Sequence, residues 1–250
     1  MIAPFHNQVA LVTGASGGIG SETAIRLAAG GAKVALQYHS NPVGAETALA
    51  KITAAGGSAI TVQGDAGNAA DAARVVAATV AAFGTLTILI NGAGISTPLS
   101  VGEMTSEAID REFAANVRSV ILMTQAAAPH LAKNAANGGR VVNVSSNLAF
   151  GPMPGLTLYS AAKAAVASLT QGFARELGSR GIAVNAVAPG ATITPMTEWL
   201  DQSVMDGIAA STPLGRVAQP DDIADAILFL ASPGSRWVNG RTMIVDGGLI

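Results

Sequence analysis

The sequence predicts an α/β fold with helices on both faces of a doubly wound parallel sheet of about seven strands. Three observations carry this expectation. Short apolar, β-branched runs alternate with longer Ala-rich segments throughout the 250 residues. Most of the short runs are continuously apolar rather than alternating, as strands buried on both faces should be. A glycine cluster follows the first run directly, at the turn into the first helix. Together these describe a Rossmann-type architecture, with ligands bound beyond the carboxyl ends of the strands at the topological switch point.

Taken in order, Val9 to Thr13 is an apolar run that opens the sheet, and the Ala-containing segment Gly18 to Ala29 crosses over to a second strand, Lys33 to Tyr38. Ala45 to Ala55 leads to the strand Ala59 to Gln63, and Asn68 to Phe83 leads to Leu86 to Asn91. The longest crossover, Ser106 to Asn134, precedes Arg140 to Ser145. Thr157 to Ser179 precedes Ile182 to Ala188, and Asp221 to Ala231 precedes the last strand, Thr242 to Asp246. Gly14, Asn91, Ser145 or Ser146, and Pro189 therefore all fall where strands end. The segment Thr192 to Leu214 lacks a strong period and contains Pro195, Trp199, Gly207 and Pro213, so it reads as a mobile flap over the site. No linker, repeat or low-complexity tail interrupts the pattern, and 1–250 reads as one domain.

Charged residues make up 12% of the chain, against a usual value of about 25%. With a mean hydropathy of +0.43, this leaves little polar surface to cover the fold, so some apolar surface is expected between subunits. The net charge of -2 offers no basic field for a nucleic acid. The absence of cysteine excludes disulfides, thiolate catalysis and cysteine-ligated metal, and no metal site is read. The N-terminus lacks a basic n-region, and the apolar stretch Val120 to Leu131 carries Thr124, Gln125, Pro129 and His130. A soluble, cytoplasmic protein with no membrane partner is expected.

Two local patterns bear on chemistry. In Thr13-Gly-Ala-Ser-Gly-Gly-Ile-Gly20, glycine permits positive φ and lets backbone N–H groups approach a pyrophosphate at the helix N-terminus. Gly14, Ser16, Gly17, Gly18 and Ile19 are the candidate contacts. In Tyr159-Ser-Ala-Ala-Lys163, positions i and i+4 share a helix face, so the ammonium can reach the phenol. A phenol titrates near 10 unperturbed, and a neighbouring cation favours the phenolate, which is expected to bring Tyr159 toward working pH.

The spacing Thr-Gly-x-x-x-Gly-x-Gly resembles the glycine motif of the short-chain dehydrogenase/reductase family. The resemblance recurs in order along the whole chain: Asp65, Asn91-Gly-Ala-Gly94, Asn116, Ser146, Tyr159-x-x-x-Lys163, Pro189-Gly190 and Val245-Asp-Gly-Gly248. It is nearest to the 3-oxoacyl-carrier-protein reductase branch.

The family likeness implies an oxidoreductase that interconverts a carbonyl and a secondary alcohol by hydride transfer, with Tyr159 as general acid/base. Ser146 would hold the substrate oxygen, Lys163 would also hold the nicotinamide ribose, and Asn116 would hold a water in a proton relay. Ser145 and Ser146 both end the fifth strand and point to opposite faces, so only one can face the cofactor. The thirteen-residue spacing to Tyr159 matches the family at Ser146.

For the cofactor, the likeness implies that Asp65 accepts from the adenine amino group and that Ala66, Asn91, Gly92 and Ala93 offer backbone. Pro189, Gly190, Thr192 and Thr194 would fix the nicotinamide carboxamide. Gly92 stands where the family usually has asparagine. Where NAD-dependent relatives place a carboxylate, this chain has Tyr38, followed by His39, Ser40 and Asn41. These donors suit a 2′-phosphate, so NADP(H) is favoured over NAD(H), although Gly17 stands where many NADP-preferring relatives carry Arg or Lys.

Ser96, Thr97, Leu148, Phe150, Met153, Met196 and Trp199 are the pocket candidates, and their apolar majority suits an uncharged ketone or alcohol. Carrier-protein docking uses two basic positions in that branch. Here they are Asn137 and Arg180, so a 3-oxoacyl thioester and a small ketone, sugar-derived carbonyl or quinone all stay open. The family likeness also implies a homotetramer. An NAD-dependent alcohol dehydrogenase and a catalytically silent NADP sensor on the same fold are the alternatives.

Overall fold

The computed structural model describes residues 5–131 and 138–250. Its seven parallel strands are β1 (Val9–Thr13), β2 (Lys33–Tyr38), β3 (Ser58–Gln63), β4 (Ile88–Asn91), β5 (Gly139–Val144), β6 (Ile182–Pro189) and β7 (Thr242–Val245). They run in the order β3-β2-β1-β4-β5-β6-β7, so the chain reverses its direction of growth between β1 and β4. That junction is the switch point where a crevice opens.

Neighbouring residues on one strand feed different cores. Ala10 and Val12 of β1, with Val34 and Leu36 of β2, pack on one face with Leu27, Ile223 and Ile227. Leu11 and Ala35 pack on the other with Val75, Met123 and Leu131. Because both faces are covered, the strands are apolar at most positions, and buried polar exceptions such as Gln37, Asn143 and Asn185 each have hydrogen-bond partners.

The helices are α1 (Gly18–Ala29), α2 (Pro42–Ala54), α3 (Ala69–Phe83), α4 (Ser106–Phe113), α5 (Ser119–Leu131), α6 (Thr157–Leu177), α7 (Gln202–Ser211) and α8 (Pro220–Ala231). Helix α2 begins three residues before the sequence expectation because Asn41 accepts from Gly44 N–H and Pro42 is preset for the first helical turn.

Two expectations are corrected. The crossover predicted as one helix from Ser106 to Asn134 is α4, a π-helical turn over Ala114–Arg118 and then α5; its last three residues, 132–134, lie outside the described residues. The extra residue in the π turn widens the helix around Asn116, a distortion common at functional sites. Within 192–214, read as aperiodic, α7 forms without a single buried residue. No helix of the described residues is long and apolar enough to cross a membrane.

Candidate active site

The loops after β1 and β4 meet at the switch point. Gly14 has φ 67°, and a Cβ there would lie 2.9 Å from Ala93 Cα and from Gly92 O, so only glycine allows this approach. Thr13 Oγ1 accepts from Gly92 N–H at 3.0 Å and Ala93 N–H at 3.1 Å, pinning one loop to the other. Gln37 Oε1 accepts from Gly14 N–H at 3.0 Å, while its Nε2 donates to Gly64 O. Neither Thr13 nor Gln37 was singled out from sequence as a site residue. A lone amide inside the apolar run of β2 was the available signal for Gln37, since buried polar groups need partners.

Gly17 is the N-cap of α1, which has no side-chain cap and no acid in its first turn, as is also true of α6 and α7, whereas Asn41, Asn68 and Thr105 cap α2, α3 and α4. The first amides of α1 therefore have no side-chain acceptor. Thr194 closes the other side: its Cγ2 is 3.0 Å from where a Cβ of Gly18 would sit, and Pro195 Cγ is 3.7 Å from that of Gly17. A glycine-walled cradle at an uncapped helix N-terminus fits the diphosphate of the expected dinucleotide. Ile19 packs its side chain on the core, so it offers backbone alone, and Ser16 O receives a long hydrogen bond from Asn41 Nδ2 at 3.4 Å.

At the end of β2, Tyr38 is half-buried while His39 and Ser40 are exposed. Asn41 spends its carbonyl on capping α2. Asp65 gives one carboxylate oxygen, Oδ1, to Gly67 N–H at 2.8 Å, and Ala66 is buried beside it. Asn91 does not turn its side chain to the crevice. Its amide donates to Thr124 Oγ1 at 3.1 Å and Asn143 Oδ1 at 2.8 Å inside the core, so anything it offers a ligand is backbone.

Ser146, Tyr159 and Lys163 come together where β5 meets the first turns of α6. Ser145 Oγ donates to Lys163 O at 2.8 Å, which turns it into the helix packing. Ser146, on the opposite side of the strand end, accepts from Leu148 N–H at 3.2 Å and lies near enough to the Tyr159 phenol to favour its phenolate. Lys163 is buried, donates to Val144 O at 3.0 Å, and places Nζ 5.6 Å from the Tyr159 ring centre.

The electrostatics differ from the sequence expectation. The Tyr159 phenol is pushed up to about 12, first by burial and further by the charge of Glu112, with Ser146 pulling the other way. Although Tyr159 is only half-buried by surface area, its hydroxyl lies deep enough that desolvation of the phenolate dominates. Burial also lowers the Lys163 ammonium to about 8 against the pull of Glu112. In the protein alone, Tyr159 is thus held protonated rather than brought toward neutrality.

Asn116 sits in the π turn with Nδ2 donating to Ile95 O at 2.9 Å, Glu112 O at 3.1 Å and Glu112 Oε1 at 3.0 Å. Among the described residues no donor reaches its Oδ1. A Cβ on Gly94 would lie 2.5 Å from that oxygen and 3.2 Å from Lys163 Nζ, so both atoms converge over Gly94. Glu112, unmarked in the sequence, is the acid one turn before Asn116.

Pro189 ends β6, and Gly190, its N–H on Val245 O at 3.0 Å, lies so near Asp246 that a Cβ would sit 2.8 Å from that residue's Cβ. Thr192 is buried and donates to Gly190 O at 3.0 Å. Of the pocket candidates, Ser96, Thr97 and Leu148 are half-buried, whereas Phe150, Met153, Met196 and Trp199 are exposed on the loops after β5 and β6. Arg180 donates to Ala128 O at 2.9 Å, and Asn137 lies outside the described residues.

Residues 14–250 match the family model described as enoyl-(acyl carrier protein) reductase. A 3-oxoacyl-(acyl-carrier-protein) reductase of Synechocystis sp. is 40% identical over 97% of this chain and 97% of its own. An uncharacterized oxidoreductase of Methylorubrum extorquens is 42% identical over 99% of this chain and 100% of its own. Among solved structures, a short chain dehydrogenase from Burkholderia cenocepacia in complex with NADP superposes with a TM-score of 0.92 at 40% identity, over 98% of this chain and 99% of that one.

Proposed function

This chain belongs to the short-chain dehydrogenase/reductase family of oxidoreductases, and from that premise we propose that it is an NADP(H)-dependent reductase of an uncharged ketone, with Tyr159 as its proton donor. The observation that carries the reading is the convergence of Ser146, Tyr159 and Lys163 beside a glycine-walled, uncapped helix N-terminus. The cradle of Gly14, Ser16, Gly17, Gly18 and Ile19 holds the diphosphate through backbone N–H groups. Tyr38, His39 and Ser40 would receive a 2′-phosphate, and no carboxylate lies among residues 38–41 to repel it. Asp65, Ala66, Gly92 and Ala93 would hold the adenosine, and Pro189, Gly190, Thr192 and Thr194 the carboxamide.

The chemistry a bound nicotinamide supplies is hydride transfer at the carbonyl carbon. Ser146 Oγ positions the carbonyl oxygen, and Tyr159 Oη delivers the proton as that oxygen gains charge. A phenol held near 12 keeps its proton until an alkoxide develops, which suits reduction. Lys163 holds the ribose and passes a replacement proton, with Asn116 Oδ1 holding the water of the relay. The exposed apolar side chains of Phe150, Met153, Met196 and Trp199 support an apolar substrate beneath a flap formed by 192–214. Small ketones and 3-oxoacyl thioesters are the classes to assay. The whole chain acts as one catalytic unit, assembles as a homotetramer, and works in the cytoplasm.

Initial rates of NADPH and NADH oxidation against ketones, diketones and 3-oxoacyl thioesters test the reading, with Tyr159→Phe as the control. NADPH should be preferred, and the variant should lose about 100-fold or more in kcat while still binding NADPH. A Tyr159→Phe protein as active as wild type would overturn the assignment.

A further inference from the structure

One buried acid has no part in the roles given so far. Glu112 is 1% exposed and is the sole buried residue of α4, while Ile109 on the same helix is left 39% exposed. An amphipathic helix that turns its carboxylate inward and leaves an isoleucine outside reverses the usual pattern, and a buried charge is costly unless it is partnered.

Its partner is the amide of Asn116. Ile95 O, Glu112 O and Glu112 Oε1 surround Nδ2, so rotating the amide by half a turn would set its oxygen against three acceptors. That fixes Oδ1 on the other side, where it converges with Lys163 Nζ over Gly94. The charged or titratable groups that face Glu112 are Lys163 and Tyr159, both from α6. The loop after β4 adds Thr97, which favours the charged carboxylate without completing a hydrogen bond to Oε2, and its own helical segment adds Asn116.

The geometry points to Glu112 as a positioning residue of the proton path: its carboxylate locks the Asn116 amide with the oxygen toward Lys163, and its charge acts on Lys163 and Tyr159. This rests on the reductase reading above. Burial raises the Glu112 carboxyl above its ordinary value, with Thr97 and the charge of Lys163 pulling the other way; where it is ionised its charge raises the proton affinity of both α6 groups, so its removal moves both titrations to lower pH.

Glu112→Leu removes both the acceptor and the charge, whereas Glu112→Gln keeps the acceptor and removes the charge. With NADPH and a turned-over ketone, Glu112→Leu should lower kcat about tenfold with NADPH affinity within about twofold of wild type. Glu112→Gln should restore most of that kcat, but with a pH–rate profile displaced to lower pH. Wild-type kcat and profile in both variants would overturn the proposal, as would equal losses that track a lowered Tm.

If the wild-type protein reduces no carbonyl compound with NADPH, the reductase reading fails by itself. Glu112 is then tested in a Tyr38→Phe background, where Tyr159 is the sole tyrosine of the two in the chain. There the ultraviolet titration of Tyr159 should move to lower pH on adding Glu112→Gln, and an unmoved titration would refute the role.

Discussion

Replacing Thr13 with valine tests what holds the two ligand-facing loops together. Valine keeps the shape of the side chain and removes the oxygen that accepts from Gly92 and Ala93 N–H. An unsatisfied buried donor costs about 1–3 kcal/mol. Both amides are part-buried, so water recovers some of that loss, and the low end applies to each, or about 2 kcal/mol for the pair. For a chain of this size, that lowers Tm by about 4–8 °C. Serine at the same position keeps the oxygen and loses one buried methyl, at about 1 kcal/mol, so it should fall about half as far. Thermal melts followed by circular dichroism, paired with NADPH binding by fluorescence, separate the cases. A valine variant that melts with wild type, or a serine variant that falls as far as valine, would refute the pinning role.

Two further outcomes follow from the site. Lys163 titrates near 8 when folded against 10.5 ordinarily, so the unfolded chain binds more protons between those values and native stability rises with pH across that window. Lys163→Met should flatten the rise in urea midpoints from about pH 7 to 10.5, and parallel curves would contradict the burial of that ammonium. Gly17 is extended, and a Cβ there meets only Pro195 at an ordinary 3.7 Å, so the backbone accepts a side chain at this position. Gly17→Arg should lower KM for NADPH about three- to tenfold at low salt and leave KM for NADH unchanged; cofactor KM values that move together would rule out a 2′-phosphate contact.

The sheet was legible because burial on both faces leaves a nearly continuous apolar record, as in Val9–Val12 of β1 and Ile88–Ile90 of β4. The π turn was not, since one inserted residue around Asn116 changes neither composition nor the run of apolar side chains. Helix α7 buries no residue fully, and its half-buried apolar face is only Met205, Ile208 and Ala209, too short a stripe to stand out as a periodicity. The local pair Tyr159 and Lys163 could be read from i, i+4 spacing, but not the direction of the phenol's shift. That direction depends on burial and on Glu112, 47 positions earlier in the chain (159 − 112), which only the tertiary fold brings near. Likewise Asn91 carries the family motif in sequence, while its side chain belongs to a core ladder with Asn143 and Thr124.

Because no side chain of α7 is fully buried, its exposed face can vary at little cost to the fold. Substitutions at exposed positions away from special contacts usually change stability by no more than about 0.5 kcal/mol. The exposed positions of 202–211, all but Met205, Ile208 and Ala209, are therefore open to rewriting without disturbing either core. A library confined to those exposed positions should yield folded proteins at nearly every one, with both cores beneath left as they are.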